Sequence, residues 1–209
     1  MDGGESRHRS CRRLTRRRGP AVGEEAAVSA APDVPPPLAE RVAAALRDVP
    51  DFPKPGVLFK DITPLLADGP LFADVAAAIA GQHRDSGFDV VAGVEARGFV
   101  VAAAVAIAAG TGLVPVRKAG KLPAATVTRS YELEYGEATI EVHADAFARH
   151  RRVLLVDDVL ATGGTLAAAA DLVAAAGGEL AGVSVILELA ALGGRDRLGV
   201  PDLHSLLTV

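Results

Sequence analysis

One stretch decides the fold of this chain: Val153-Leu154-Leu155-Val156-Asp157-Asp158-Val159-Leu160-Ala161-Thr162-Gly163-Gly164-Thr165. Its first four residues are branched and apolar. Such a run predicts a strand buried on both faces, because a half-solvated strand alternates apolar with polar residues. Two acids follow and are therefore expected at the carboxyl end of that strand. The alanine-rich run that comes next, Leu166 to Ala176, predicts a helix.

The segment between this strand and helix has the features of an anion-binding loop. Gly163 and Gly164 allow a turn whose backbone N–H groups point into a common hollow, and the threonine hydroxyls add further donors. Because the loop opens a helix, the positive end of the helix dipole faces the same hollow. We therefore predict a phosphate cradle with two carboxylates beside it.

Three other interpretations of this stretch are weaker. A Walker B segment needs a Walker A partner, and the sequence contains no Gly-x-x-x-x-Gly-Lys-[Ser/Thr]. A receiver-type acidic pocket ends an early strand, whereas this acidic pair lies far along the chain. A structural turn without a ligand would require the strand, the two acids, the glycine loop and the helix to coincide by accident.

The stretch resembles the phosphoribosyl-pyrophosphate (PRPP) loop of the type I phosphoribosyltransferases. In that family two acids hold the ribose 2′- and 3′-hydroxyls, and the loop holds the 5′-phosphate. The resemblance implies that Asp157 and Asp158 contact the ribose. It assigns the 5′-phosphate to Ala161, Thr162, Gly163, Gly164 and Thr165.

Length, charge and cysteine content restrict the class of protein. A chain of 209 residues is long enough for one well-buried α/β domain. Its single cysteine, Cys11, cannot form an internal disulfide. The longest apolar run, Phe99 to Ala109, is shorter than the ~20 residues of a membrane span. Seven arginines and two acids give residues 1–18 a charge of +5, which leaves −9 for the rest of the chain. So acidic a remainder argues against binding to a nucleic-acid backbone.

Residues 1–36 show no helical or strand period and are rich in Arg, Ala and Pro, so we expect a disordered extension. A basic anchor for nucleic acid or membrane, an organelle transit peptide, and a start codon assigned too far upstream remain open as alternatives. Residues 37–209 are expected to form a single domain.

The first part of that domain, residues 37–66, is predicted to be a helix followed by a hood. Apolar spacing favours a helix over Leu38 to Val49, and the prolines between Pro50 and Pro64 force an extended path. This segment resembles the hood of adenine phosphoribosyltransferases, in which a phenylalanine covers the purine and neighbouring backbone groups contact the base edge. The alternative is a packed surface arm. The match implies that adenine stacks on Phe59 and is also contacted by the flanking residues Leu58 and Lys60. The family more often has arginine at the position of Lys60.

A charged loop, Glu95-Ala96-Arg97, lies between a predicted buried strand and a predicted helix. A parallel sheet places ligand contacts at such loops, although a surface salt bridge from Arg97 is the alternative. The loop resembles the pyrophosphate loop of the same family, in which this arginine binds the leaving pyrophosphate. Three further cations end the next strand and are expected to neutralise the same charge: Arg117, Lys118 and Lys121.

Residues 118–143 are predicted to form a hairpin that carries a mobile catalytic loop. Tyr131 to Gly136 resembles the catalytic loop of the adenine enzymes. In that family the glutamate corresponding to Glu134 reaches the purine as a general acid/base, and the tyrosine corresponding to Tyr135 helps to close the site. The alternative is a charged hairpin without chemistry.

The other elements follow from short apolar runs and helical periodicity. The predicted helices are Leu71 to Ser86 and Val100 to Ala109. The predicted strands are Phe88 to Val94, Leu113 to Val116, Glu137 to His143 and Glu179 to Leu189. A turn or short helix is expected over Gly193 to Leu198, and a final edge strand from Leu203 to Val209. The five histidines show no ligand spacing, so a protein-held zinc is not expected.

Alternation of strands and helices predicts an α/β fold with a doubly wound, mainly parallel sheet. The resemblance implies a cytoplasmic purine-salvage enzyme that joins adenine to PRPP, giving AMP and pyrophosphate. It also implies Mg²⁺ bound mainly through the substrate and water, and a homodimer with neither nucleic acid nor membrane as partner. Specificity for another purine base, and a PRPP-sensing regulator without catalysis, are the alternatives.

Overall fold

The computed structural model describes residues 36–132, 137–200 and 202–209. Helix α1 (Leu38–Ala45) and a two-stranded hairpin, β1 (Arg47–Pro50) with β2 (Leu58–Asp61), come first. The remaining elements are α2 (Thr63–Ala67), α3 (Gly69–Gln82), β3 (Val90–Val94), α4 (Arg97–Ala109), β4 (Gly112–Lys118), β5 (Thr126–Glu132), β6 (Glu137–His143), β7 (Arg152–Leu160), α5 (Gly164–Ala175), β8 (Glu179–Glu188), α6 (Gly194–Leu198) and β9 (Leu203–Thr208).

The described part of the chain forms a seven-stranded sheet in the order β5-β6-β4-β3-β7-β8-β9. Strands β4, β3, β7, β8 and β9 are mutually parallel, whereas β5 and β6 add an antiparallel edge. The predicted mainly parallel sheet is therefore confirmed. Its parallel strands bring their carboxyl ends to one edge, where an open α/β sheet binds its ligands.

Strand β7 lies between β3 and β8 in this sheet and is buried on both faces. Val153 and Leu155 belong to the hydrophobic core that contains α5. Leu154 and Val156 belong to the opposite core, which contains α3 and α4. The alternation of consecutive residues between two cores explains the uninterrupted apolar run, and it confirms the doubly wound architecture.

Strand β7 extends beyond the two acids, which were predicted to close it. It continues to Leu160, because Asp157 pairs with Val185 and Leu160 pairs with Glu188 on β8. Asp157 and Asp158 therefore lie within the strand, close to its carboxyl end. Their position is fixed by strand hydrogen bonds rather than by a loop.

Several helix boundaries also differ from the prediction. Helix α1 ends at Ala45 instead of Val49, because the following residues pair with β2. Helix α3 begins two residues early, where the side chain of Asp68 accepts a hydrogen bond from the Leu71 N–H at 3.0 Å, and it ends at Gln82. Helix α4 begins at Arg97 instead of Val100, which places that arginine in its first turn.

Residues 36–209 form one compact unit. The predicted disordered extension lies, apart from Pro36, outside the described residues. Within the described ranges, no helix combines the length and the apolar character needed to cross a membrane.

Candidate active site

A cavity of about 640 Å³ opens at the carboxyl ends of β3, β7 and β8, beneath the β1–β2 hairpin. Its walls combine apolar side chains with both acids of β7. The lining residues are Val57, Leu58, Phe59, Lys60, Glu95, Ala96, Arg97, Asp157, Asp158, Val159, Ala161, Thr165, Leu189 and Leu192. The structure thus brings together the hood, the Glu95–Arg97 loop and the acidic pair, which are far apart in the sequence.

A smaller hollow of about 80 Å³ adjoins this cavity and is formed by the predicted phosphate cradle. Gly163 has a φ of 78°, in the left-handed region that favours glycine, and helix α5 begins at the next residue. All five predicted phosphate-binding residues line the hollow: Ala161, Thr162, Gly163, Gly164 and Thr165. Backbone N–H groups at the start of α5 are without intrahelical partners, so the hollow suits a small anion.

The cradle rests on a second glycine turn, Gly193–Gly194, which lies far from it in the sequence. A Cβ atom on Gly163 would lie 2.6 Å from the carbonyl oxygen of Gly194, and a Cβ on Gly194 would collide with the carbonyl oxygen of Ala161. Glycine at both positions lets the two backbones approach this closely. The Gly193–Gly194 pair was a visible signal in the sequence, but its partner could not be inferred locally.

The two acids differ in environment. Asp158 is buried, and Arg97 Nε lies 2.6 Å from its Oδ2. No donor among the described residues is aligned to hydrogen-bond this oxygen. The Asp158 N–H donates to Asp157 Oδ1 at 2.9 Å. Burial, together with the neighbouring Asp158 carboxylate, raises the pKa of Asp157 well above its ordinary value.

Gly98, in the first turn of α4, makes this arrangement possible. A Cβ at this position would lie 2.6 Å from Asp157 Oδ1 and 3.2 Å from Asp157 Cα. The absence of a side chain lets the first turn of α4 pack directly against the acidic part of β7. Arg97 consequently reaches Asp158.

Phe59 and Arg97 meet at the opening of the cavity. The guanidinium carbon of Arg97 lies 5.1 Å from the centre of the Phe59 ring, a cation–π distance. Phe52 supports the same ring edge-on, with centroids 5.1 Å apart and an interplanar angle of 71°. The predicted stacking ring is therefore held between a second phenylalanine and the predicted pyrophosphate-binding arginine.

The residues that flank Phe59 have different surroundings. The side chain of Leu58 is half exposed at the cavity. Lys60 also lines the cavity, but its Nζ donates to Asp48 Oδ1 at 2.6 Å across the hairpin. The lysine head group is therefore engaged by β1.

Glu95 organises the basic segment at the end of β4. Its Oε2 accepts hydrogen bonds from the Lys118 N–H at 3.0 Å and from Arg117 Nε at 3.3 Å. The Lys118 N–H, with Arg117, holds the pKa of Glu95 below its ordinary value. Arg117 Nη1 also donates to the Lys121 carbonyl at 3.2 Å. Arg117, Lys118 and Lys121 do not line the cavity itself. The acid therefore orients these cations beside the cavity.

The predicted catalytic residues Glu134 and Tyr135 lie outside the described residues. The strands on either side are described, and they form the predicted hairpin, with Glu132 paired to Glu137. The hairpin is therefore confirmed, whereas the role of its connecting residues stays a prediction.

Two further groups at the site were missed from the sequence. Leu189 and Leu192 follow β8 and contribute apolar wall. Glu188, at the end of β8, is buried and accepts from Arg195 Nε at 2.9 Å and Nη2 at 2.5 Å. This bidentate pair anchors α6, which carries the glycine beneath the cradle. Glu188 was predicted at the end of its strand, but its partner was not.

Comparison with known proteins agrees with this geometry. The phosphoribosyl transferase domain model matches residues 65–200. Adenine phosphoribosyltransferase of Salinispora arenicola is 62% identical over 172 residues, covering 82% of this chain and 92% of the relative. The solved structure of adenine phosphoribosyltransferase from Thermoanaerobacter pseudethanolicus is 45% identical with a TM-score of 0.78, covering 82% of this chain and 99% of that one. The enzyme from Giardia lamblia, complexed with 9-deazaadenine, is 36% identical with a TM-score of 0.77, covering 82% and 97%. This chain, with its amide cradle, acidic pair and aromatic hood around one cavity, belongs to the adenine phosphoribosyltransferase family.

Proposed function

We propose that this chain transfers the 5-phosphoribosyl group of PRPP to adenine, giving AMP and pyrophosphate in purine salvage. The observation that carries this proposal is the convergence of the cradle, the acids of β7 and the Phe59 ring on one cavity of about 640 Å³. A relative with the same fold binds 9-deazaadenine, an analogue of the proposed base. Each substrate group then has a chemically matched partner.

The cradle binds the 5′-phosphate, and the acids of β7 bind the ribose. Amide donors of the loop and the dipole of α5 face the phosphate. Asp158 accepts from a ribose hydroxyl through its buried carboxylate. Asp157 contacts the neighbouring hydroxyl; burial and the Asp158 carboxylate raise its pKa above the ordinary value. Because both acids belong to a hydrogen-bonded strand, the sugar is held in one orientation.

Adenine stacks on Phe59, and the pyrophosphate departs on the side of Arg97. The reaction breaks the bond from ribose C1′ to the pyrophosphate oxygen and forms the bond from C1′ to N9 of adenine. Positive charge grows on the ribose and negative charge on the pyrophosphate. Arg97, at the first turn of α4, offsets that negative charge, with the Glu95 and Ala96 backbone beside it. Arg117, Lys118 and Lys121 add positive charge from the adjoining segment.

The acidic pair also fits the Mg²⁺ ion that the family implies. Asp158 Oδ2 is a buried carboxylate oxygen without an aligned donor among the described residues. Carboxylate, phosphate and water oxygens are the ligands that Mg²⁺ prefers, and it usually keeps several waters. Asp157 and Asp158 would hold the ion through ribose hydroxyls and water. Bound there, Mg²⁺ supplies charge neutralisation of the pyrophosphate.

Glu134 exchanges a proton with the purine, and Tyr135 helps to close the site. We expect Glu134→Gln to lower turnover on adenine while leaving the KM for PRPP nearly unchanged, because an amide cannot transfer the proton. Glu132→Gln is the matched control, since it removes the charge of an exposed glutamate on the same hairpin. Equal turnover in the two variants would remove Glu134 from the mechanism.

The decisive experiment measures AMP formation from adenine, PRPP and Mg²⁺. Adenine should be used in preference to hypoxanthine, guanine and xanthine, and preference for another base would reassign the substrate. If no purine reacts while PRPP still binds, the chain is a regulator. A gel shift with and without residues 1–36 then tests for a nucleic-acid partner, which we do not expect.

We further propose that the enzyme is a cytoplasmic homodimer. We expect such a dimer to cover exposed apolar side chains on α4 and β4: Val100, Ile107 and Leu113. Sedimentation analysis of the full chain tests the dimer, and a mass independent of concentration and equal to one chain would contradict it.

A further inference from the structure

A group of metal-binding side chains lies at the sheet edge opposite the active-site cavity. His83 follows the end of α3, and Asp202 and His204 stand at the beginning of β9. They meet the first half of β8, near Gly182 and Ser184. The active-site cavity lies at the carboxyl ends of the strands. The group therefore takes no part in the proposed transfer reaction.

The donor atoms of this group converge on one point. Asp202 Oδ2 lies 3.2 Å from His83 Nδ1, and Asp202 Oδ1 lies 2.9 Å from His204 Nε2. One donor atom from each of the three residues lies within 4.8 Å of the other two. Zinc bonds of about 2.0–2.1 Å separate tetrahedral ligands by roughly 3.3 Å, so only small side-chain movements are needed. We propose that His83, Asp202 and His204 form a binding site for a divalent transition-metal ion of the Zn²⁺ or Co²⁺ class.

Ser184 supplies the support that such a site needs. Its Oγ lies 2.8 Å from His83 Nε2, and both residues are fully buried. When Nε2–H donates to Ser184, the lone pair of Nδ1 faces the Asp202 carboxylate, and a cation between the two relieves the repulsion. Metal-bound histidines usually donate their second N–H to a neighbouring oxygen, which fixes the ring and its tautomer.

The backbone of β8 is shaped to admit the His83 ring. A Cβ atom on Gly182 would lie 2.5 Å from His83 Cε1 and Nδ1, and 2.9 Å from Asp202 Oδ2. Any other residue at this position would displace the ring or the carboxylate. The sheet thus holds one ligand rigidly in place.

The site combines a buried anchor with an open side. His83 is fully buried, whereas the side chains of Asp202 and His204 are each 39% exposed. Two imidazoles and one carboxylate suit Zn²⁺ or Co²⁺ much better than Mg²⁺, which prefers oxygen ligands. Three protein ligands leave a fourth position for water.

The test measures metal binding to the untagged full chain by equilibrium dialysis with Zn²⁺ or Mg²⁺ and by the visible spectrum of bound Co²⁺. We expect one saturable Zn²⁺ per chain, Co²⁺ bands of tetrahedral type, and a higher Tm with Zn²⁺ but not with Mg²⁺. His204→Gln and Asp202→Asn should lower the Zn²⁺ affinity more than about 100-fold. Ser184→Ala, which touches no metal, should lower it roughly 10- to 100-fold.

His150→Gln is the matched control, because His150 is an exposed histidine outside the group. It should bind Zn²⁺ as the wild type does. Circular dichroism of each variant separates loss of the site from loss of the fold. The proposal is overturned if the wild type binds no saturable Zn²⁺, which would leave the group a hydrogen-bonded His–Asp–His cluster. It is also overturned if binding survives His204→Gln but is lost in Asp158→Asn, which would place the ion in the active-site cavity.

Discussion

Replacing Gly163 with alanine should weaken PRPP binding more than adenine binding. Gly163 has a φ of 78°, and the left-handed conformation costs an alanine about 1–2 kcal/mol. The new methyl group would also lie 2.6 Å from the Gly194 carbonyl oxygen, which belongs to backbone and must shift. Overpacking of this kind costs ~1–3 kcal/mol. The free energy of unfolding should therefore fall by about 2–5 kcal/mol.

Gly177→Ala isolates the first contribution, the cost of the left-handed backbone. Gly177 has a similar φ of 83°, but a Cβ there would meet nothing within 4 Å. Its variant should lose only the conformational part, ~1–2 kcal/mol, and keep normal kinetics. The difference between the two variants then measures the contact between the cradle and Gly194.

Urea unfolding and steady-state kinetics decide the matter. Displacing the cradle weakens at least one charge-assisted hydrogen bond to the 5′-phosphate, worth ~1.5–3 kcal/mol, so the KM for PRPP should rise roughly 10- to 100-fold. The KM for adenine should change far less. Equal unfolding free energies for the two glycine variants, or an unchanged KM for PRPP in Gly163→Ala, would refute the assignment of this loop.

Three other substitutions test the site. Asp157→Asn should lower kcat/KM for PRPP yet raise the Tm, because burial raises the pKa of Asp157, so the folded state loses stability as the pH rises from the ordinary aspartate pKa of about 3.9 up to the raised pKa. A Tm advantage that does not grow as the pH rises above about 4 contradicts this. Arg195→Ala should cost about 2–3 kcal/mol in urea unfolding, since it strands the buried Glu188 carboxylate. The Arg195 hydrogen bonds lower the pKa of Glu188, so the loss should disappear as the pH falls through that lowered pKa; a loss that persists in acid argues against the ion pair. Phe59→Leu should raise the KM for adenine roughly 5- to 100-fold, because it removes ~1–3 kcal/mol of stacking. Phe52→Leu removes only the edge-on support and should raise the KM for adenine less. The reverse order of the two effects would reassign the stacking ring.

Much of the architecture could be predicted because it is encoded in short segments. The run Val153–Val156 shows by its lack of alternation that it is buried on both faces, and two adjacent glycines before a helix permit an anion-binding turn whatever surrounds them. Boundaries were less accurate. β7 extends through the acids to Leu160 because β8 offers backbone partners there, and a strand's end depends on such partners.

The sequence by itself determined the fold class, the cradle and the acidic pair, because each depends on residues that are neighbours in the chain. Only the tertiary structure decided which distant groups meet. Gly194 supports the cradle from the loop beyond β8, Arg97 bridges Phe59 and Asp158, and His83 reaches Asp202 across 119 positions. These contacts depend on the order of strands in the sheet and on the packing of helices against it. Residue spacing along a single segment carries no record of that order, so histidines without any ligand spacing came together only in the folded chain.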